Sequence, residues 1–400
     1  MLEKEPGPYS RHIPALDGLR GVAVLGVVAS HIFPGTTVGN GYLLLLIGKT
    51  LSFGAMGVDL FFVLSGLLIT GILYDSLSDS GFFRKFYARR TLRIFPLYYG
   101  VLFVLLVFAP WIGISWRGTQ WVYLLYLQNT TLVLSQTHLI LSRNISLDHL
   151  WSLAVEEQFY LVWPCIVFFV RDLKKLLVIS LGFSFAALLL RLGLAFHHTP
   201  YDIINRSTLC RADALLLGSA LALTLRSGRH DWILNSARTL FFWCASLYAA
   251  LSLVGLAVDR HPSWQFSFDA TFLSLRYTLM ALVSAALIAW CLRPRSAPRH
   301  LFENRVLRYF GKYSYGIYVL HLLAMPFFLR TFRLWISHLT PSKLIGVVGA
   351  GLLVFFISVV AAYLSYNLFE KQFLRMKRHF GYDRAKSVRN NDAKTLIPTA

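Results

Sequence analysis

The sequence predicts an all-α polytopic membrane protein of about ten transmembrane helices, with both termini cytoplasmic. Three observations carry this. Hydrophobic residues make up 56% of the 400 positions and charged residues only 14%, with 15% aromatic and a mean hydropathy of +0.56. Soluble domains hold about 25% charged residues. The apolar residues fall in long runs, near the roughly 20 residues a helix needs to cross a bilayer core and too long for barrel strands. Finally, the Lys and Arg residues cluster in alternate gaps between those runs.

The first run, 16–34, carries Asp17 and Arg20 and lacks a convincing cleavage site, so it reads as a retained helix and not a signal peptide. The second, 54–75, has Asp59 near its start, and the third, 94–113, follows the basic stretch GFFRKFYARRTLRIFPLYY at 81–99. Gln120 to Gln136 is ambiguous, because Gln128, Asn129, Thr130 and Thr131 are poor in lipid. Further spans are expected at 150–170, 176–197, 207–225, 239–258, 270–292, 313–331 and 343–368.

Charge resolves the ambiguity. If Gln120–Gln136 does not cross, the clusters at 84–93, 171–175, 226–238 and 293–308 and the tail from Lys371 all share one side. The other side then holds Lys49, Arg117, Arg143, Arg206, Arg260 and Arg333. Counting the stretch as a span would send Arg171, Lys174 and Lys175 outside. The positive-inside rule therefore favours ten helices, with 114–149 as the largest outer loop. Residues 1–15 are expected to form a cytoplasmic segment, 16–370 the membrane domain and 371–400 a basic, loosely ordered cytoplasmic tail. The net charge of +20 is explained by this topology without a nucleic-acid partner. Cys165, Cys210, Cys244 and Cys291 lie in apolar segments without a C-x-x-C pair, so neither disulfides nor a metal site are expected.

Ionisable residues inside spans cost about 2.5–3.5 kcal/mol each and usually face a bundle interior or a watery cavity. At 1.5 Å per residue, His31 comes out about 22 Å from the cytoplasmic boundary, near the outer side of the core. Glu156 and Glu157 lie about 9–10 Å below the outer boundary, and Asp59 about 7 Å. Within the first helix, Arg20 and His31 are about 20° apart in azimuth, and Asp17 and His31 about 40°, so all three face one way. His31 is either a polar packing residue or, given two carboxylate-bearing helices at its level, a proton-transfer group. On the inner side Arg89, Arg90 and Arg93 form a basic helical face interleaved with aromatic rings, which suits phosphate and purine binding or ordinary membrane anchoring. Arg191, Arg211, Asp213 and Arg276 lie in the outer halves of their spans. Of these, Arg211 and Asp213 either pair with other helices in a structural network or line an acceptor pocket. His321 is read as packing.

Five segments in order resemble one family: ALDGLRGVAVLGVVASH (15–31), GVDLFFVLSGLLIT (57–70), RRTLRIFPLYY (89–99), SLDHLWSLAVEEQFYLVWP (146–164) and KYSYGIYVLH (312–321). The chain resembles the acyltransferase-3 family of integral membrane acyltransferases over almost its whole length. The resemblance maps the family's Arg and His of the first helix onto Arg20 and His31. Its R-x-x-R maps onto Arg90 and Arg93, and its Glu pair onto Glu156 and Glu157. It implies an enzyme of the bacterial inner membrane, with no permanently bound cofactor. The enzyme takes an acyl group, usually acetyl, from cytoplasmic acyl-CoA as co-substrate and passes it to a hydroxyl of a glycan or glycolipid. Some members carry a fused esterase-like domain after an extra helix. This chain is expected to lack both, and so to finish the transfer itself or hand the acyl group to a separate partner.

On this reading His31 is general base or transient acyl carrier, and Glu156 or Glu157 orients it, with Asp59 as a second candidate. Arg20, Arg90 and Arg93 hold the donor's phosphates. An extended pantetheine arm of roughly 15–20 Å would reach from them to His31. Asp17, Asp59, Arg211 and Asp213 are the candidates for substrate binding. A proton-coupled transporter is the rival reading, though the inverted repeats common in transporters are not seen.

Overall fold

The computed structural model describes residues 13–32, 53–116, 118–130, 145–258, 262–323, 325–339 and 343–381. Its long helices are α1 (Pro14–Ile32), α2 (Gly57–Asp75), α3 (Phe82–Val107), α4 (Trp151–Val170), α5 (Leu173–Phe196), α6 (Thr208–Thr224), α7 (His230–Val258), α8 (Pro262–Leu292), α9 (Arg305–Leu320), α10 (Met325–Leu339) and α11 (Lys343–Ser365). Each predicted span falls mainly on one of them, except 313–331, which is divided between α9 and α10.

The described helices bound the count without fixing it at ten. Among the described residues, eight helices are long and apolar enough to cross a membrane, or nine if α9 and α10, bent by 92°, are one span. The expected span 207–225 is α6, with 17 residues and both Arg211 and Asp213. At 1.5 Å per residue it reaches about 25 Å, short of the roughly 30 Å core. The break between α9 and α10 interrupts the run expected at 313–331. Pro326 lies in the first turn of α10, where its missing N–H is tolerated at a helix start but would break a continuing helix.

Two boundaries move for physical reasons. α3 begins at Phe82 and not near 94, because Arg and Lys are good helix formers and the basic stretch runs on into the apolar one. Helix also continues past Lys371 to Phe380, where a loose tail is expected. The Arg89 guanidinium ties that end down by donating to the carbonyls of Lys377 and Phe380 at 3.4 and 3.3 Å. The rest of the tail, from 382, lies outside the described residues.

The ambiguous stretch holds a helix of only 5 residues, Gln120–Leu124, far too short to cross; residues 131–144 lie outside the described residues. Its polar residues find partners at helix ends. Gln128 Nε2 donates to the Leu150 carbonyl at 2.9 Å, and Asn129 Nδ2 donates to Thr208 Oγ1 at 2.7 Å. Gln158 Nε2 donates to Asn129 Oδ1 at 2.8 Å. Amide N–H groups paired in this way avoid the cost of meeting lipid unbonded.

Glycines set the close helix contacts that frame the site. A Cβ on Gly21 would stand 2.0 Å from the Leu307 carbonyl oxygen, and one on Gly311 1.8 Å from that of Asp17, so α1 and α9 touch backbone to backbone. Gly66 and Gly218 do the same for α2 and α6, at 1.8 Å from the Leu215 and 2.1 Å from the Val63 oxygen. Small residues are the usual means of close helix approach in membranes.

Candidate active site

The two polar ends of α1 open onto two cavities. His31, in its last turn, borders a cavity of about 570 Å³ together with Asp59, Asp148, His149, Trp151 and Arg211. Arg20, eleven residues earlier, borders a cleft of about 100 Å³ with Arg90, Arg93, Glu156, Tyr160 and Ser65. The shared azimuth of Arg20 and His31 thus places both on the interior side of α1.

Histidine chemistry in the larger cavity involves three rings. His321 Nε2 lies 3.2 Å from His31 Nδ1, with ring centroids 5.1 Å apart. His149 packs edge-on against His321 at 5.0 Å. His321 Nδ1 donates to the Tyr318 carbonyl at 2.7 Å, and His149 Nε2 to the Val319 carbonyl at 3.0 Å. Sequence reasoning took His321 for packing and passed over His149. α9 packs along α1, and His321 at its C-terminal end therefore comes to lie beside the end of α1. The signal available was an ionisable residue at the edge of each span, in SLDHLW and in YVLH, with Pro326 close behind the second.

The cleft is rich in cations. Arg90 lies over the Tyr160 ring at 5.0 Å, and Arg20 is 3.4 Å from Asp17. Among the described residues, Arg90 and Arg93 have no carboxylate within 4.0 Å. Tyr160 donates to Glu156 Oε2 at 3.1 Å and shares a short hydrogen bond with Ser65. Three guanidinium groups around one carboxylate make a site for a polyanion, with forks that match phosphate oxygens.

This placement corrects the expected partner of His31. Glu156 borders the arginine cleft and not the histidine cavity, and Glu157, about 100° further round the helix, turns toward Tyr98, Tyr99, Tyr126 and Tyr315. Depth along the membrane brought these residues to one level but said nothing of the direction α4 faces. Asp59 does border the histidine cavity, but it is paired to Arg211, with Oδ1 2.7 Å from Nη2. Arg211 also lies under the Tyr277 ring at 3.9 Å, and its Nε and Nη1 have no hydrogen-bond partner among the described residues.

Asp213 borders neither cavity. It is 2.6 Å from Arg191 Nη2, accepts from Thr278 Oγ1 at 2.8 Å and from its own helix at Ala214 N, 3.0 Å away. Arg191, 0% exposed, also donates to the Cys210 carbonyl. The pair ties α5 to α6 and is structural. Asp213→Ala should lower unfolding stability by about 3–5 kcal/mol, because it strands a buried guanidinium. A thermal melt in detergent reads this out, and an unchanged melting temperature with weakened acceptor binding would restore the binding role. Asp17 likewise borders neither cavity and sits beside Arg20.

The cavities meet at two residues. Val58 and Tyr318 border both. The Tyr318 hydroxyl donates to the His149 carbonyl at 2.8 Å and meets the Ser152 hydroxyl. A basic cleft on one side of this wall and an imidazole on the other is an arrangement for joining two substrates.

Comparison with known proteins agrees with that chemistry. The acyltransferase domain family matches residues 13–366. A peptidoglycan O-acetyltransferase of Listeria monocytogenes is 30% identical over 334 residues, 78% of this chain and 49% of the relative. A Bacillus subtilis protein provisionally named a peptidoglycan O-acetyltransferase is 30% identical over 331 residues, 78% of this chain and 48% of the relative. A Staphylococcus aureus protein provisionally named an O-acetyltransferase is 27% identical over 336 residues, 79% of this chain and 51% of the relative. The chain spans about half the length of these relatives. No solved structure matches it. Nothing in these matches favours a transporter. With the family matched across nearly all of its helices, several of them long and apolar enough to cross a membrane, the chain belongs to the acyltransferase-3 family.

Proposed function

We propose that the protein is an O-acetyltransferase of the bacterial plasma membrane that moves acetyl from acyl-CoA to a glycan hydroxyl. The observation that carries this is the division of α1 between two adjoining cavities, with Arg20 in the basic cleft and His31 in the larger chamber. The donor's phosphates lie against Arg20, Arg90 and Arg93. Its thioester arm passes between Val58 and Tyr318 toward His31. The glycan takes the larger chamber, whose rim of Trp151, Tyr201, Tyr248 and Tyr277 offers flat faces for sugar rings and hydroxyls for their oxygens. The names of the relatives support an acetyl donor and a peptidoglycan-like acceptor.

His31 draws the proton from the acceptor hydroxyl as its oxygen attacks the thioester carbon. A C–O bond forms, the C–S bond breaks, and the proton passes from His31 to the leaving thiolate. A transient acyl-His31 is the two-step variant of the same transfer. The test uses purified protein in lipid nanodiscs with radiolabelled acetyl-CoA and soluble peptidoglycan fragments. Acetylated fragments and an equal release of thiol are expected. Absence of donor binding, or label transfer to no glycan, overturns the reading.

A further inference from the structure

We propose that His321 fixes the tautomer of His31, so that the lone pair of His31 lies on Nε2 and faces the glycan chamber. The inference rests on the reading of His31 as the base, and it follows from the order of hydrogen bonds at the end of α9. His321 Nδ1 is 2.7 Å from the Tyr318 carbonyl oxygen. A carbonyl only accepts, so Nδ1 carries a proton. The ring is 2% exposed and, among the described residues, has no carboxylate to balance a charge. A buried imidazole in that setting is neutral and has a single N–H. Its Nε2 is therefore a lone pair, aimed at His31 Nδ1 from 3.2 Å.

Two facing lone pairs repel, so His31 Nδ1 supplies the hydrogen. The neutral His31 ring then has its remaining lone pair on Nε2, and the Val27 carbonyl, one turn back on α1, also lies within hydrogen-bond reach of this ring. Free histidine side chains favour the opposite tautomer, with the proton on Nε2. A base in that form would present an N–H to the hydroxyl it must deprotonate. Which nitrogen is protonated is set by the bond the other nitrogen makes, and here the Tyr318 carbonyl decides it at one remove.

The arrangement parallels a triad in which a second group holds the base through Nδ1. Here that group is an imidazole and not a carboxylate. When His31 takes the proton, its Nδ1–H···Nε2 bond to His321 becomes charge-assisted and stronger. His149 supports the geometry from the far side. Its Nε2 is held by the Val319 carbonyl at 3.0 Å, and its ring packs against His321 at 5.0 Å. His321 is thus a positioning residue, acting on the acceptor through His31.

Two substitutions separate this role from bulk packing. His321→Gln keeps an amide oxygen that can accept from His31 Nδ1–H, but cannot itself carry a proton. His321→Met fills the space without an acceptor. The readouts are steady-state kinetics and histidine nitrogen NMR on labelled, substrate-free protein, with the His31 signal assigned by its loss in His31→Ala. The expected results are an Nδ1–H form of His31 in the native protein and in His321→Gln, and an Nε2–H form in His321→Met. In His321→Met, kcat should fall about 100-fold, while the KM of each substrate stays within about 2-fold; in His321→Gln, kcat should stay within about 10-fold of native. An Nε2–H form of His31 in the native protein overturns the proposal, even if His321→Met does not fold. So does an equal loss in both variants with the tautomer unchanged. Because the NMR needs no substrate, an active His31→Ala enzyme would sink the base assignment while leaving the tautomer result to stand by itself.

Discussion

His31→Ala should abolish acetyl transfer while leaving the donor bound and the protein folded. An alcohol attacks a thioester slowly unless its proton is removed as the C–O bond forms. A positioned base contributes about 10²–10⁴-fold to such a step, so the variant's kcat should fall by at least that much. Its donor affinity should hold, because Arg20 lies about 16 Å away along α1, in a separate cleft. Stability should change little. The ring gives up its hydrogen bonds to His321 and to the Val27 carbonyl, worth about 1 kcal/mol each, and no ion pair. Thiol release, acetylated product, donor binding and a thermal melt test these expectations together. A variant that still transfers acetyl at near the native rate removes His31 from the mechanism. A native enzyme that carries acetyl on His31 after exposure to donor alone selects the two-step route, and no adduct in a single turnover selects direct transfer.

The sequence revealed most where the geometry is local. Within α1 the angle between Arg20 and His31 follows from 100° per residue, and the structure puts both on the interior side of one helix. Between helices the sequence offers depth without azimuth. Glu156 therefore came out at the level of His31, yet it faces the arginines. Long apolar runs marked the helices, but they concealed the break after α9 and said nothing of the packing of α9 along α1 that brings His321 to His31. Pro326 was the visible clue. The pairing of Arg211 with Asp59 and of Arg191 with Asp213 needed the packing of α2 and α5 on α6, a relation between distant segments that no local pattern encodes.

Arg90→Ala and Arg93→Ala should each raise the KM for acyl-CoA by about 10–100-fold, the equivalent of one charged hydrogen bond of about 1.5–3 kcal/mol. The KM for the glycan should not move, because neither arginine borders the larger cavity. Lysine at these positions should recover only part of the loss: it keeps the charge but not the planar fork that grips two phosphate oxygens. Donor affinity in the native enzyme should also fall with added salt, more steeply than in either alanine variant, since part of the attraction is screened. Arg89 supplies the control. It lies on the same basic stretch, but it does not border the cleft and holds the carbonyls of Lys377 and Phe380. Arg89→Ala should therefore loosen the end of the last helix without a selective effect on the donor. If Arg90 and Arg93 were ordinary anchors at the membrane surface, all three alanine variants would behave alike, and losses toward donor and glycan would be equal. A loss confined to the donor, and confined to the two arginines that border the cleft, separates a phosphate site from an anchor.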